Sequence, residues 1–183
     1  MLTLVFGLQV LDLNRLAGEF EHIVEDRPIR AGLAFISARG TGGIGMNDRF
    51  SLQSVMKLIV GFAVMDAVDR GKLRLDHKLL VRRQDLSLYV QPISRLVGKA
   101  GYRTTVGDLV RRAIVDSDSA AVDILIRQLG GIGSVGVTLR RKAISGIRVD
   151  RDERHLQTEI VGLKWRPEFT DPGRLDRAIA RVP

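Results

Sequence analysis

The middle of the chain is divided into apolar helical segments by glycines and short polar breaks, and this division constrains the fold most strongly. After Ser54, large apolar residues recur at the spacing of a buried helical stripe, and Gly71 follows the last turn, where helices commonly end on glycine. The stripe consists of Val55, Leu58, Ile59, Phe62 and Met65. Further helices are predicted from Thr105 to about Val115 and from Ala120 to Leu129. These segments predict a helical domain over residues 54–146.

Composition narrows the class of protein. The 183 residues are 45% hydrophobic, which is enough to bury one core and argues against wholesale disorder. No apolar run approaches the roughly 18 to 20 residues that a membrane-spanning helix needs, so no membrane span is predicted. Cysteine is absent, which excludes a disulfide framework, a thiolate metal site and a cysteine nucleophile.

Positive charge is the one compositional feature that suggests a binding function. Lys and Arg number 29 against 21 Asp and Glu, giving a net charge of +8. The cations are scattered along the chain, and aromatic residues make up only 5%, so few side chains could stack on nucleic-acid bases. We therefore expect no nucleic-acid partner and interpret the charge as a solvated surface. A non-catalytic basic binding module is the alternative, and a steep salt dependence of nucleic-acid binding would reveal it.

The segment before Ser54 predicts one helix and a hairpin. Apolar residues recur at helical spacing behind Asp12, a candidate N-cap, as far as about Asp26. Strands are predicted over residues 29–38 and 44–47, joined by a turn at Gly40-Thr41-Gly42-Gly43. These glycines belong to a G-x-G-x-x-G pattern, but a dinucleotide site needs a helix that begins inside the motif, so a hairpin turn is favoured.

Two longer stretches show little regularity. Residues 72–101 are predicted to be loop with short helical pieces. Residues 147–183 are predicted to be a charged functional loop with one helical piece near Leu175 to Ala180.

Ser54 and Lys57 form an S-x-x-K pattern at the start of the most apolar helix. Residues three apart share a helix face, so the lysine ammonium can reach the serine hydroxyl. A serine hydroxyl becomes an effective nucleophile when a nearby base accepts its proton, and a helix N-terminus offers backbone N–H groups to a developing oxyanion. The pattern alone also fits an ordinary N-cap serine followed by a lysine.

Two further polar segments make a catalytic interpretation stronger. Ser117-Asp118-Ser119 lies between two predicted helices, 63 residues after Ser54, where a turn can direct hydroxyls into a cleft. The charged run from Arg148 to Gln157 follows, and it contains Glu153, a carboxylate placed to hold a water, 36 residues after Ser117.

In this combination the sequence resembles the class A serine β-lactamases, within the wider group of penicillin-recognising enzymes. The family pattern is S-x-x-K, then S-D-N, then R-x-D-R-x-E-x-x-L-N in an omega loop, then K-[TS]-G on a strand. The first three motifs are present in this order, and the resemblance covers roughly Asn14 to Gln157. It implies an α+β, three-layer fold, represented mainly by the helical domain and the first two strands of the antiparallel sheet.

The resemblance also implies four catalytic roles. Ser54 would be the acylated nucleophile and Lys57 its proton-transfer partner. Ser117 would relay a proton to the leaving β-lactam nitrogen. Glu153 would activate the deacylating water; whether Glu153 or Lys57 accepts the acylation proton is disputed for the family.

Substrate binding would involve Ser119, Gln157, which would help to hold the water, and Tyr89, which is expected to line the cleft. No metal and no organic cofactor is implied, and the histidines show no metal-binding spacing. The expected partner is a small-molecule β-lactam, and the complete protein is expected to be a monomer.

The sequence departs from the family pattern at three points. Ser119 stands where the family has Asn, and the shorter hydroxyl is expected to lose amide contacts to Lys57 and to the substrate. Gln157 replaces another Asn and is one methylene longer. No K-T-G or K-S-G triad follows Glu153, so we expect a C-terminally truncated chain of low activity.

These inferences define one incomplete domain with three parts, residues 12–53, 54–146 and 147–183. The expected function is β-lactam hydrolysis through a serine acyl-enzyme, in antibiotic resistance or catabolism. The alternative enzyme is a D-alanyl-D-alanine carboxypeptidase or penicillin-binding protein, which would lack the deacylating base. The family is exported, which suggests a periplasmic or secreted protein, although Met1 to Leu11 lacks the basic start and cleavage site of a signal peptide.

Overall fold

The protein is represented by a computed structural model that describes residues 13–38 and 40–182. The fold is α+β, with seven α-helices and two small antiparallel sheets among these residues. The helices are α1 (Leu13–Val24), α2 (Met56–Asp69), α3 (Val106–Val115), α4 (Ser119–Gln128), α5 (Gly133–Arg141), α6 (Glu153–Ile160) and α7 (Pro172–Ile179). The strands are β1 (Leu33–Ser37), β2 (Gly40–Ile44), β3 (Lys78–Val81) and β4 (Tyr102–Thr105). The chain forms two compact units, Met1–Ser51 and Leu52–Pro183.

The first unit contains α1 and a β1–β2 hairpin. The helix confirms the sequence prediction, while its candidate cap Asp12 and the apolar segment Met1 to Leu11 lie outside the described residues. The strands pair antiparallel, with Leu33 opposite Ile44 and Ser37 opposite Gly40.

The glycine-rich segment of this hairpin is strand and not turn, which corrects the sequence prediction. At Gly43, with a φ of 150°, an added Cβ would lie 1.9 Å from the carbonyl oxygen of Leu33 on the opposite strand. At Gly42, an added Cβ would meet the ring of Phe35 at 2.7 Å. The glycines therefore permit close approach of backbone and aromatic ring across the pair.

The second unit is built around α2, but the buried face of this helix differs from the predicted stripe. Val55 and Leu58 are 56% and 58% exposed, Phe62 and Met65 are 37% and 39% exposed, and Ile59 is partly buried against the core. The buried face consists of Met56, Lys57, Val60, Gly61, Ala63, Val64, Asp66 and Ala67. Because apolar residues surround this helix on all sides, their spacing does not identify the buried face. Small side chains face the neighbouring helices and permit close packing.

Local sequence signals set the ends of the central helices. At the end of α2, the N–H of Gly71 donates to the carbonyl of Val68 and that of Lys72 to Ala67, which forms a Schellman motif around the predicted glycine. The Thr105 hydroxyl accepts from the N–H of Asp108 and caps α3, as predicted.

The main core lies where α2, α3, α4 and α5 meet, and α4 is its most buried element. Its buried residues run without interruption from Ser119 to Ile126. Val60, Val64, Leu109, Leu125 and Val135 contribute fully buried side chains from the four helices. This core fixes the start of α4 relative to the start of α2, which is where the candidate site lies.

A second hairpin, β3–β4, lies in the stretch predicted to be irregular. Lys78 pairs with Thr105 and Val81 with Tyr102. Four-residue strands with mixed side chains carry little alternating signal, which explains why the pattern did not reveal them.

The C-terminal stretch is more helical than predicted. The structure places α6 where the sequence predicted loop, and α7 begins three residues before the predicted helical piece. A small second cluster of Leu88, Phe169 and Leu175 anchors this stretch, with Trp165 packed against it. The Trp165 ring meets the edge of Phe169 and lies under the guanidinium of Arg154 at 5.4 Å.

No single helix within residues 13–38 and 40–182 is long and apolar enough to cross a membrane. The pair α4 and α5, bent by 73°, meets the requirement together by length and composition only.

One buried carboxylate, Asp66, connects α2 to the end of α5. It receives bonds from Arg70 at 2.9 Å, from Lys142 at 3.2 Å and from Arg141. Burial raises the pKa of Asp66, but the bonds from Arg141, Lys142 and Arg70 outweigh it and hold the pKa at about 2. The ionised carboxylate therefore stabilises the folded state.

We predict that Asp66→Asn lowers the free energy of unfolding most strongly above pH 4 to 5, with the difference from the unsubstituted chain shrinking as the pH falls towards 2. The folded-state pKa lies below the unfolded value, so this stabilisation is present above the unfolded pKa and is lost during acidification. Urea unfolding from pH 2 to pH 7 measures it. Asp69→Asn, an exposed position on the same helix, is the control and should change stability by less than about 0.5 kcal/mol. A pH-independent difference for Asp66→Asn would contradict this prediction.

Candidate active site

Lys57 lies at the centre of a buried polar cluster. It is the second residue of α2, and its side chain is 4% exposed. Its ammonium donates to the carbonyl oxygen of Ser117 at 2.6 Å and to the hydroxyls of Ser117 at 3.1 Å and Ser119 at 3.2 Å. Three acceptors match the three N–H bonds of a lysine ammonium, so the cluster is built to hold a positive charge.

Glu153 supplies the opposite charge from the first residue of α6. Its side chain is 1% exposed, and Oε1 lies 3.6 Å from the Lys57 Nζ. Oε2 accepts from the hydroxyl of Ser119 at 3.3 Å and from the amide of Gln157 at 3.2 Å. Oε1 makes no hydrogen bond with any described residue, so it retains accepting capacity. A buried carboxylate with a free lone pair, next to a cation, can accept a proton from a bound water.

Ser119 makes contacts that the sequence analysis did not expect. The expected loss of the contact to Lys57 does not occur, because Ser119 accepts from Lys57, and its hydroxyl also donates to Glu153. Since a hydroxyl is both donor and acceptor, Ser119 bridges the two charged groups.

Ser117 is held in an unusual backbone conformation between α3 and α4. Its φ is 53°, in the left-handed region that non-glycine residues seldom adopt. The buried side chain of Asp118 fixes this turn, since it accepts from the backbone N–H of Ile93 at 2.6 Å and from that of Ala121 at 2.9 Å. Burial raises the pKa of Asp118 despite these bonds. The turn directs both the carbonyl and the hydroxyl of Ser117 at Lys57.

Ser54 lies in a short 3₁₀ helix, Gln53–Val55, immediately before α2, and it is exposed. Neither this turn nor α2 has a side-chain N-cap bond, so the interpretation of Ser54 as an ordinary capping residue is wrong. No hydrogen bond joins its hydroxyl to Lys57 in the part of the chain that the structure describes.

The turn that carries Ser54 uses two of the backbone N–H groups that the sequence analysis expected to be available to an oxyanion. The N–H of Val55 donates to Leu52, and that of Met56 donates to Gln53 and Ser54. Those two groups are therefore already satisfied within the first turn.

Tyr89 is connected to this cluster through its sequence neighbour Val90. Its side chain is exposed, and its φ is 51°. The next residue, Val90, accepts the backbone N–H of Ser119 at 2.8 Å, so the segment carrying Tyr89 is attached directly to the start of α4.

Asp123 is a residue of the cluster that the sequence analysis missed. One oxygen accepts from the backbone N–H of Glu153 at 2.8 Å, and the other accepts from the hydroxyl of Ser87 at 2.7 Å. Asp123 lies one turn after Ser119 on the buried face of α4. An acidic residue inside an apolar helical run is seldom buried without a partner, and this is the sequence signal that could have identified it.

The structure thus brings together five of the seven predicted site residues by direct contact: Lys57, Ser117, Ser119, Glu153 and Gln157. Ser54 lies three residues before Lys57 in the sequence, and Tyr89 precedes Val90, which accepts from the backbone N–H of Ser119. The omega-loop segment expected to be irregular is helical where it carries Glu153, because the Asp152 side chain caps α6 by accepting from the N–H of His155.

Comparison with known proteins agrees with this fold. The model of the beta-lactamase enzyme family matches residues 15–178. This chain belongs to that family.

Several of the similar proteins are named as class A beta-lactamases. The chain is 24% identical over 148 residues to beta-lactamase VEB-1 of Pseudomonas aeruginosa, covering 80% of this chain and 50% of VEB-1. It superposes on the structure of an ancestral class A beta-lactamase (GNCA) with a TM-score of 0.70 and 29% identity, covering 77% of this chain and 54% of that one.

The class A beta-lactamase of the last common ancestor of Gram-negative bacteria (GNCA4) gives a TM-score of 0.69 and 30% identity. That match covers 78% of this chain and 54% of the ancestral one. The chain therefore spans about half the length of the relatives that it matches.

We predict that Lys57 and Glu153 are energetically coupled. Lys57→Met leaves a buried carboxylate without its cation and should lower the free energy of unfolding by about 3–5 kcal/mol. Adding Glu153→Gln to that variant should recover part of the loss, because the buried charge is removed. Urea unfolding of both single variants and the double variant measures the coupling.

Arg151→Met, which breaks an exposed pair with Glu159, is the matched control and should cost less than about 1 kcal/mol. Strictly additive effects of Lys57→Met and Glu153→Gln would show that the two side chains do not form a pair in solution.

Proposed function

We propose that this chain carries the catalytic groups of a serine β-lactamase, which hydrolyses the cyclic amide through an acyl-enzyme. The buried Lys57–Ser119–Glu153 arrangement is the observation that carries the proposal. A cation and a carboxylate bridged by one hydroxyl, adjacent to an exposed serine, provide the proton donors and acceptors that this reaction needs. Family membership supports the same reaction class.

In acylation, Ser54 Oγ attacks the β-lactam carbonyl carbon, and the ring C–N bond breaks. Because acceptors surround all three N–H bonds of the Lys57 ammonium, we assign the serine proton to Glu153 through a water. The leaving nitrogen takes a proton from the Ser117 hydroxyl, which in turn receives one from Lys57 at 3.1 Å. The protons balance, and Lys57 becomes neutral while Glu153 is protonated.

Ser119 then restores both charges. Its hydroxyl lies 3.3 Å from Glu153 Oε2 and 3.2 Å from Lys57 Nζ, so it can pass the proton from the acid to the neutral amine. An amide at this position would be a poorer relay than a hydroxyl, which donates and accepts through one atom.

Deacylation uses Glu153 as the general base. The regenerated carboxylate accepts a proton from a water that attacks the acyl carbon, the bond between that carbon and Ser54 Oγ breaks, and Glu153 returns the proton to Ser54 Oγ. Gln157 fixes one carboxylate oxygen at 3.2 Å, which leaves Oε1 for the water.

A D-alanyl-D-alanine carboxypeptidase or penicillin-binding protein is the competing function. Such an enzyme would also use the S-x-x-K serine but would keep penicillin bound for hours. The buried position of Glu153 against Lys57 favours hydrolysis, because it supplies the base that removes the acyl group.

We predict that Ser54→Ala eliminates the covalent penicillin adduct, whereas Glu153→Gln forms the adduct more slowly and releases it about 10²–10⁴-fold more slowly. The first substitution removes the nucleophile, and the second removes the base that serves acylation and deacylation. Intact-protein mass spectrometry over time measures both. Ser145→Ala, at an exposed loop serine, is the matched control and should behave like the unsubstituted chain.

An adduct that persists for hours on the unsubstituted chain would favour the carboxypeptidase or penicillin-binding interpretation. An adduct that survives Ser54→Ala would contradict the assignment of the nucleophile.

A further inference from the structure

A cleft with a strongly positive lining lies between α7 and the segment that joins α6 to it. Its volume is about 580 Å³, which falls within the roughly 300–1,000 Å³ typical of sites for small molecules. It shares no lining residue with the candidate active site. Among the described residues, one carboxylate, Glu168, and five cationic side chains line it, and the cations are Lys164, Arg166, Arg174, Arg177 and Arg181.

The α7 helix supplies one wall of the cleft with three arginines. Arg174 and Arg177 lie three residues apart, and Arg181 follows four residues later, just beyond the end of the helix. Residues at this spacing are neighbours on a helix surface, where like charges repel each other. Arg174 also lies in the first turn, where the partial positive charge of the helix disfavours a cation. This arrangement lowers stability unless an anion offsets it.

The facing wall carries Lys164 and Arg166 on the segment after α6. A small apolar cluster, which contains Phe169 and Leu175, packs between the two walls, with Leu163 against it. Because this packing fixes α7 against the segment that precedes it, the cations face the cleft from two sides without any further rearrangement of the backbone. The cleft is therefore formed before a ligand arrives.

Neighbouring carboxylates neutralise little of this charge. Glu168 lies 3.8 Å from Arg166, and Asp171 accepts from the backbone N–H of Arg174 at 3.1 Å. The other four cations are exposed and form no ion pair with residues 13–38 and 40–182; they are Lys164, Arg174, Arg177 and Arg181. Four uncompensated positive charges around one cleft match a ligand that carries several negative charges.

The prevalence of arginine indicates the kind of anion. A guanidinium donates two parallel hydrogen bonds to a phosphate group, and it does so with fixed geometry. A single carboxylate carries one charge, so it cannot neutralise cations on both walls, whereas adjacent phosphate groups can. The apolar residues that line the cleft are buried or half-buried, so the cleft presents little apolar surface to a lipid bilayer.

We propose that this cleft binds a soluble anion with two or more adjacent phosphate groups, held between the arginines of α7 on one side and Lys164 and Arg166 on the other. The binding does not depend on the proposed function, and its test requires no hydrolysis.

Tripolyphosphate is the probe, and the fluorescence of Trp165 is the readout. Trp165 is the one tryptophan of the sequence, lies between Lys164 and Arg166, and meets the edge of Phe169, which lines the cleft. The fluorescence change should saturate, and calorimetry should give one anion per chain. Affinity should fall as the salt concentration is raised to about 0.15 M, because the contacts are electrostatic. Inorganic phosphate, which has a single group, should bind about tenfold more weakly or less tightly still.

Substitutions in and outside the cleft separate a site from general attraction to a basic protein. Arg174→Gln and Arg177→Gln should each raise the Kd for tripolyphosphate about tenfold, because each removes charge-assisted hydrogen bonds. Arg103→Gln, at an exposed arginine on β4, removes the same charge elsewhere and is the matched control. It should change the Kd by less than about twofold, because exposed distant charges are screened. Far-UV circular dichroism verifies that each variant is folded.

Three results would overturn the proposal. The first is a fluorescence response that does not saturate, and the second is equal weakening by Arg103→Gln and Arg177→Gln, which would show attraction by net charge alone. The third is inorganic phosphate binding as tightly as tripolyphosphate, which would show that adjacent phosphate groups are not needed.

Vesicles test whether a lipid headgroup supplies the phosphates instead. The chain should not sediment with vesicles of phosphatidylcholine, and adding phosphatidic acid to the vesicles should not displace tripolyphosphate from the cleft. Sedimentation with the phosphatidic acid vesicles that is lost in Arg177→Gln would contradict the assignment to a soluble anion.

Discussion

The buried contact between the Lys57 ammonium and the Glu153 carboxylate is the interaction on which the site depends. Two opposite charges with exposed fractions of 4% and 1% are tolerated only when paired and hydrogen-bonded, and the seryl oxygens of residues 117 and 119 provide that environment. The core of helices α2 to α5 places these groups together, because it sets the start of α4 against the start of α2. The α6 helix then completes the cluster from a distant part of the chain.

Much of the site was predictable from motifs, because these residues combine unusual chemistry with fixed spacing. The order and separation of the motifs that contain Ser54, Lys57, Ser117 and Glu153 are enough to indicate that these residues belong to one active site. The contribution of Ser119 was underestimated, because spacing does not show how closely two backbones approach. Asp123 was missed for a related reason: its role comes from contacts with Ser87 and Glu153, which lie 36 and 30 residues away in the sequence.

The fold was predictable where local signals are strong. Thr105 and Gly71 mark a helix start and a helix end by side-chain and backbone chemistry that acts over a few residues. The buried face of α2 was assigned wrongly because large apolar side chains occupy both of its faces, and only tertiary packing selects Val60 and Val64 over Leu58 and Phe62. The glycines of β2 were assigned to a turn, although cross-strand packing of Phe35 and Leu33 is what requires them.

A crystal structure of the chain reacted with penicillin at neutral pH tests the central claim most directly. We predict an acyl group on Ser54 Oγ, with Lys57 and Glu153 still paired beside it and Ser119 between them. An acyl group on another residue, or Glu153 turned towards bulk solvent away from Lys57, would contradict it.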